Sequence, residues 1–198
     1  AGLGAALSGS GRLRALDPLV GWAWLGFVFT TCGVFFSAPL SILTTVAAFL
    51  AICAVVYVWH RDGGVVSLSF LKLVILLSPL VILVSAMQAS QWDEFPHWLM
   101  IPRYMLETDA LPGKENTYPK AYLTAYPFSW HFVTYLTSRV AGKLIENAGA
   151  LTNILLLMAF GLVVVQLIAR GAGRSIEAFS NSWSTLALGG VAVFLANP

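Results

Sequence analysis

The chain has 198 residues, of which 58% are hydrophobic and 10% charged, with a mean hydropathy of +0.80. Soluble domains carry about a quarter charged residues, so this composition excludes an ordinary soluble globular class and marks an integral membrane protein. A net charge of +2 is too small to point to a nucleic-acid partner.

Taken in chain order, the first feature is Arg12 and Arg14 ahead of an apolar run. This resembles a signal peptide. The run is about twenty residues long and a second follows at once, so an uncleaved first span is expected. No charged residue lies between Asp17 and His60. The break at Ser37-Ala38-Pro39 predicts two spans, over 18–36 and 40–59. Cys32 and Cys53 fall inside these runs and read as buried thiols rather than a disulfide.

A third apolar run covers 66–88. Its Lys72, one turn inside, is expected to snorkel to the headgroups. Pro79 predicts a kink. The segment 89–146 follows, rich in Trp, Tyr, Phe and Pro. Within it, 127–142 is too short to span comfortably. Phe128, Phe132, Leu136 and Val140 recur at helical spacing, with Ser129, Thr134, Thr137 and Ser138 between them. Pro127 suits a helix start and Gly142 a stop. The segment reads as an amphipathic helix at the interface. A fourth run covers 147–169, ended by Arg170, and a fifth covers 180–197. The chain does not begin with Met and stops at "FLANP", so the N-terminal portion of a longer protein is expected.

Five spans place Arg12, Arg14, Arg61, Arg170 and Arg174 on one side, which should be cytoplasmic. If 127–142 crossed, Arg170 and Arg174 would move outside. The five-span reading puts 89–146 outside. The expected fold class is therefore all-α: a polytopic membrane helical bundle with an extracytoplasmic loop containing amphipathic juxtamembrane helices. Residues 1–65 would hold two N-terminal transmembrane helices, and 66–198 would begin a core around the external loop 89–146.

That loop opens with "WDEFPHW". Asp93 and Glu94 stand side by side where the third run leaves the bilayer. One reading is an ordinary solvated pair, with Trp92 and Trp98 as an aromatic belt. The other is chemical. Partial desolvation at headgroup depth raises the basicity of a carboxylate, which suits a general base. A lipid-anchored substrate such as a polyprenyl-phosphate sugar would present its reactive group there. Its phosphate leaving group needs positive charge nearby, and Arg103, Lys114, Lys120, Arg139 and Lys143 lie in the same loop. The carboxylate pair could hold Mg²⁺ or Mn²⁺, but a pair without further ligands is a weak site. Metal dependence stays open.

The pattern "WDEFPHW…PRYMLETDALP…YP…AYPFSWHF…LTNILLLMAFGLVVVQLIAR" resembles the GT-C superfamily of polytopic glycosyltransferases. It looks most like the bacterial set with a Trp-Asp-Glu-Phe-Ser-His-Trp start, with Pro96 at the Ser position. The resemblance covers 66–198, and its specific part is 91–132. In that fold a juxtamembrane helix ends near a Gly/Asp-x-Leu-Pro turn and an amphipathic helix follows a Tyr-Pro-Pro element. Here that element reads Tyr126-Pro127-Phe128, and two extra spans precede the loop.

The resemblance implies an inverting glycosyltransferase of the bacterial inner membrane with its site facing outside. Its partners would be membrane lipids and a polyprenyl-phosphate-linked sugar donor. Asp93 takes the place of the catalytic base and Glu94 that of a companion acid, which orients the acceptor or binds a metal. His97, one helical turn past Asp93, could share the site. Lys120 and Arg103 are candidate phosphate contacts, although Arg103 could instead pair with Glu107. His131 on the amphipathic helix is the remaining substrate-binding candidate. The plain alternative for His97, Lys120 and His131 is an ordinary interfacial or solvated residue.

Two other classes fit a polytopic chain. One is a non-enzymatic membrane protein, such as a transporter or an assembly subunit. Against it, no span carries an acidic residue or His at mid-depth, where ion pathways place them. The other is a polysaccharide ligase or polymerase of unrelated fold.

Overall fold

The computed structural model describes residues 1–8, 12–88, 98–112 and 129–196. Among these residues every regular element is a helix. They are α1 (Gly2–Leu7), α2 (Asp17–Phe35), α3 (Leu40–Asp62), α4 (Leu68–Leu76), α5 (Ser78–Ser85), α6 (Met100–Thr108), α7 (Ser129–Ala141), α8 (Ala148–Gly171), α9 (Ile176–Ser180) and α10 (Trp183–Ala196). A 3₁₀ turn, Arg14–Leu16, precedes α2.

Helices α2, α3 and α8 are each long and apolar enough to cross a membrane. Their apolar residues are not confined to one face. Phe27 and Phe35 on α2, and Phe49, Ile52 and Trp59 on α3, all point outward. In water so much exposed apolar surface would drive association. In hydrocarbon it is ordinary, because the helix satisfies its own backbone bonds. The α2–α3 break falls where expected, with Ser37 at φ 47° just before Pro39. Cys32 is half-buried and Cys53 exposed, and neither is in a disulfide. Buried thiols were expected, but α3 has too narrow a protein-facing side to cover Cys53.

The expected third span is two helices. At Leu77 the backbone reaches φ −97°, ψ 12°, and α4 and α5 meet at 65°. Pro79 supplies no N–H for the carbonyl four residues before it, so the ladder breaks there. The expected fifth run is present as α10, which starts at Trp183 after a turn at Asn181 and Ser182. Helix α10 occupies Trp183–Ala196, up to the last described residue. Among the described residues there are thus three helices able to span, or four if α4 and α5 count as one bent span. Five were expected.

The chain divides into two compact units. The first comprises 1–23, 50–84 and 153–198. Its polar centre is Arg12. The guanidinium donates to both Asp17 carboxylate oxygens, at 2.8 and 3.1 Å, and to Asp62 at 2.7 Å. Asp17 is only 1% exposed and stands in the first turn of α2, where negative charge also meets the positive end of the helix dipole. Arg61 pairs with Asp62 at 2.8 Å and donates to the Ala5 carbonyl at 2.9 Å. The short α1 lies close to the start of α2. A Cβ on Gly4 would fall 1.9 Å from the Asp17 carbonyl oxygen, so only glycine fits. Lys72 has a protein partner. Its Nζ donates to the Asn181 carbonyl at 3.0 Å and lies 5.3 Å from the centre of the Trp183 ring. It ties α4 to the α9–α10 turn. The bend at Asn181 leaves carbonyls there without helical donors, which an ammonium satisfies.

The second unit comprises 24–49 and 85–152. It contains the turn end of the α2–α3 hairpin together with α6 and α7, and it holds every described candidate site residue.

Candidate functional site

Helices α6 and α7 pack against one another within the second unit. The amphipathic helix predicted over 127–142 is present as α7, and it stops as expected at Gly142, at φ 68°. Its orientation differs from the simple lipid-facing stripe. Phe132 is buried as expected, against Phe29 at 5.3 Å between ring centres. Val140 from the same stripe is 85% exposed. The buried face runs through His131, Phe132, Thr134, Tyr135 and Ser138. Several of these polar groups are used internally. Ser138 Oγ accepts the Ile145 N–H at 2.9 Å, and Tyr135 reaches Asp109. Protein partners on α2, α3 and α6 therefore set which side is buried, ahead of apolar periodicity.

His131 is 1% exposed and lies nearly parallel to Trp98, with ring centres 5.6 Å apart and planes 22° apart. Trp98 is the closing residue of "WDEFPHW". The stack joins the end of that motif to the helix that follows "AYP". Arg103 does not pair with Glu107. Its guanidinium lies 3.8 Å from Glu146, with the side chain 51% exposed. A loose, solvated pair of this kind contributes at most about 1 kcal/mol, and it leaves the arginine able to exchange partners. Asp93, Glu94, His97 and Lys120 lie outside the described residues. Among the described residues no three His, Cys, Asp or Glu side chains converge as a metal site.

The two ends of the expected external segment meet. Asn147 Nδ2, just before α8, donates to the carbonyl of Ser85 at the end of α5, at 2.6 Å. Such a bond satisfies one of the orphan carbonyls of a helix end.

The best-connected residue in the unit was not among the sequence candidates. Asp109 follows α6 in the left-handed region, at φ 57°, ψ 24°. Its N–H donates to Met105 at 3.0 Å, closing α6. Its carbonyl accepts the Leu40 N–H at 3.0 Å. Its carboxylate accepts the Ser41 N–H at 2.7 Å and the Ser41 hydroxyl. Leu40 and Ser41 are the first two residues of α3, so one residue caps the C-terminus of α6 and the N-terminus of α3. The Tyr135 hydroxyl donates to the same carboxylate over 3.4 Å. Two residues on, Leu111 fills the space beside Gly33 of α2, where a Cβ would lie 2.5 Å from its Cδ1. The Asp-x-Leu-Pro turn is thereby keyed to both helices of the hairpin. A capping carboxylate contributes about 1 kcal/mol through its hydrogen bond, with up to about 2 kcal/mol from the dipole when partly buried.

Burial of the Tyr135 phenol raises its pKa above the ordinary tyrosine range, Thr44 opposes this through its polar contact, and the Asp109 charge adds to the rise. The phenol is thus held neutral, as a donor to Asp109 must be. The sequence carries one signal for Asp109, a helix-ending Asp before x-Leu-Pro. Its partner Ser41 is 68 positions away, beyond any local pattern.

Comparison with protein-family models, curated proteins and solved structures finds no match to this chain.

Proposed function

We propose that the chain belongs to an inverting, GT-C-type membrane glycosyltransferase that takes a sugar from a polyprenyl-phosphate donor on the extracytoplasmic face. The observation that carries this reading is the stack of His131 on Trp98. It brings Trp98, the last residue of "WDEFPHW", against His131 of "AYPFSWHF", and these are the two segments in which the resemblance is most specific.

In this mechanism Asp93 accepts the proton of an acceptor hydroxyl. The acceptor oxygen forms its bond to the anomeric carbon as the bond from that carbon to the polyprenyl phosphate oxygen breaks, with inversion. The phosphate leaves as an anion and needs no general acid. Arg103 and Lys120 are the proposed partners for its charge. Arg103 has a suitable character, because its solvated pairing with Glu146 is weak enough to be replaced by a phosphate. Glu94 orients the acceptor or holds a divalent cation. His97 and His131 contribute to the substrate side, with His131 acting through the face it shares with Trp98.

The test is sugar transfer by the full-length protein in membranes, normalised for expression. Asp93→Asn keeps the shape of the side chain and removes its basicity. Loss of a general base costs on the order of a hundred- to ten-thousand-fold in rate. Glu94→Gln should cost less if Glu94 only orients the acceptor. Near-native turnover by Asp93→Asn refutes the assignment.

A further inference from the structure

The two N-terminal spans have no counterpart in the pattern that the catalytic loop resembles. Their outer ends nevertheless make the most specific contacts in the second unit. The Leu40 and Ser41 N–H groups at the start of α3 both end on Asp109. Gly33 of α2 receives Leu111. Phe29 meets Phe132 of α7, and Tyr135 of α7 reaches Asp109.

From these contacts we infer that the α2–α3 hairpin is a seat for the α6–α7 pair and that Asp109 is its clasp, a positioning residue for the loop chemistry. The inference rests on the glycosyltransferase reading, since it assigns the clasp a role in that reaction. Three features make the role specific. Asp109 occupies a backbone conformation that glycine adopts most readily, so the carboxylate is retained where a turn alone does not need it. That carboxylate is shared between the α3 N-terminus and Tyr135, so losing it weakens the hold of α6 on α3 and on α7 at once. Finally, α6 begins two residues after Trp98, the end of the motif that carries Asp93. A shift of α6 moves that end, and a misplacement of about 1 Å can cost on the order of a hundredfold in rate.

The experiment uses the full-length protein in lipid nanodiscs. Spin labels are placed at Thr45 on α3 and Glu107 on α6, both exposed, and their distance distribution is measured alongside transfer kinetics. Asp109→Ala should broaden the distribution and lower kcat by about a hundredfold, with KM for the donor little changed. Asp109→Asn tolerates the left-handed conformation and keeps an acceptor for the Ser41 N–H. It should recover a narrow distribution and most of the rate. If Asp109→Ala does not fold, Ser41→Ala removes one of the bonds and is read in the same way, with a smaller loss. An unchanged distance distribution overturns the clasp. A broadened distribution with native kcat, in a protein that Asp93→Asn inactivates, overturns the positioning role while leaving the Asp93 assignment intact. Native turnover by Asp93→Asn overturns the glycosyltransferase reading and the positioning role with it, and the distance measurement then reports on the seat alone.

Discussion

The carboxylate of Asp109 accepts the backbone N–H of Ser41 at 2.7 Å, and so the end of one short helix supplies the N-cap of another that begins 68 positions earlier in the chain. Leu40 and Ser41 follow Pro39 and have no helical acceptor of their own. The cap comes from outside because the residues just before α3 are Ser37, Ala38 and Pro39. Ser37 is used to turn the chain, and the other two have no side-chain acceptor.

Removing this cap has a measurable cost in stability. Ser41→Ala deletes the hydroxyl bond but leaves the N–H capped, and should lower unfolding stability by about 1 kcal/mol. Asp109→Ala deletes the cap and the charge at the helix end, and should cost about 2 kcal/mol. The measurement is chemical denaturation in mild detergent. Equal effects of the two substitutions would contradict a cap centred on the carboxylate.

Alkaline pH should open the same contact. The Tyr135 pKa is raised above its unfolded value, so the fold favours the protonated phenol. That contribution is fully present below the ordinary tyrosine pKa of about 10. It is lost as pH rises from there through the raised folded value, where a phenolate would face the Asp109 carboxylate. Denaturation midpoints should fall in this alkaline window in the native protein and fall less in Tyr135→Phe. Identical profiles for the two proteins would rule out Tyr135 as the source.

Arg12 should be far more sensitive than an ordinary loop arginine. It is shared between Asp17 and Asp62, with side chains only 11% and 2% exposed in the Arg12–Asp17 pair. Arg12→Leu would leave the Asp17 charge buried without its partner, at a cost of about 3–5 kcal/mol. Replacing Asp17 with Asn at the same time should recover part of that loss. A double-mutant cycle in detergent, read by thermal unfolding, checks this. A loss below about 1 kcal/mol for the single substitution would place the pair in the class of solvated surface bridges.

Orientation is tested by labelling. In a background lacking Cys32 and Cys53, Glu115→Cys should react with a membrane-impermeant thiol reagent added to intact cells, and Gly173→Cys should not. The prediction follows from Arg170 in the last turn of α8 and Arg174 just after it, since cytoplasmic loops collect arginine and lysine. Labelling at 173 from outside would make α7 a crossing helix. A depth scan along α7 adds a second check: a label at Val140, which points outward, should report more lipid than one at Ser138, which is buried.

Composition and hydropathy determine a good deal here. They give the membrane class, the all-helical character, the α2–α3 break at Ser37 to Pro39 and the stop of α7 at Gly142. Each of these depends on residues close together in the chain: apolar runs that lipid can solvate, a proline without an N–H, a glycine at positive φ. Local signals were weaker for the extent of a helix break. Pro79 divides the third run into two helices meeting at 65°, where the sequence indicated only a kink; the local pattern shows where a proline acts but not how far the helix bends.

Tertiary structure alone decided which side of α7 is buried and where Lys72 and Arg103 find partners. Periodicity pointed Phe132, Leu136 and Val140 the same way. The structure buries Phe132 and exposes Val140, because Phe29, Asp109 and Thr44 lie on the other flank of the helix. The acceptor of Lys72, the Asn181 carbonyl, is 109 positions away and invisible to local pattern. Asp109 is likewise joined to Ser41 across 68 positions. A hydrogen bond is satisfied by whatever donor folding brings within about 3 Å, and sequence reports only the donors that are already neighbours.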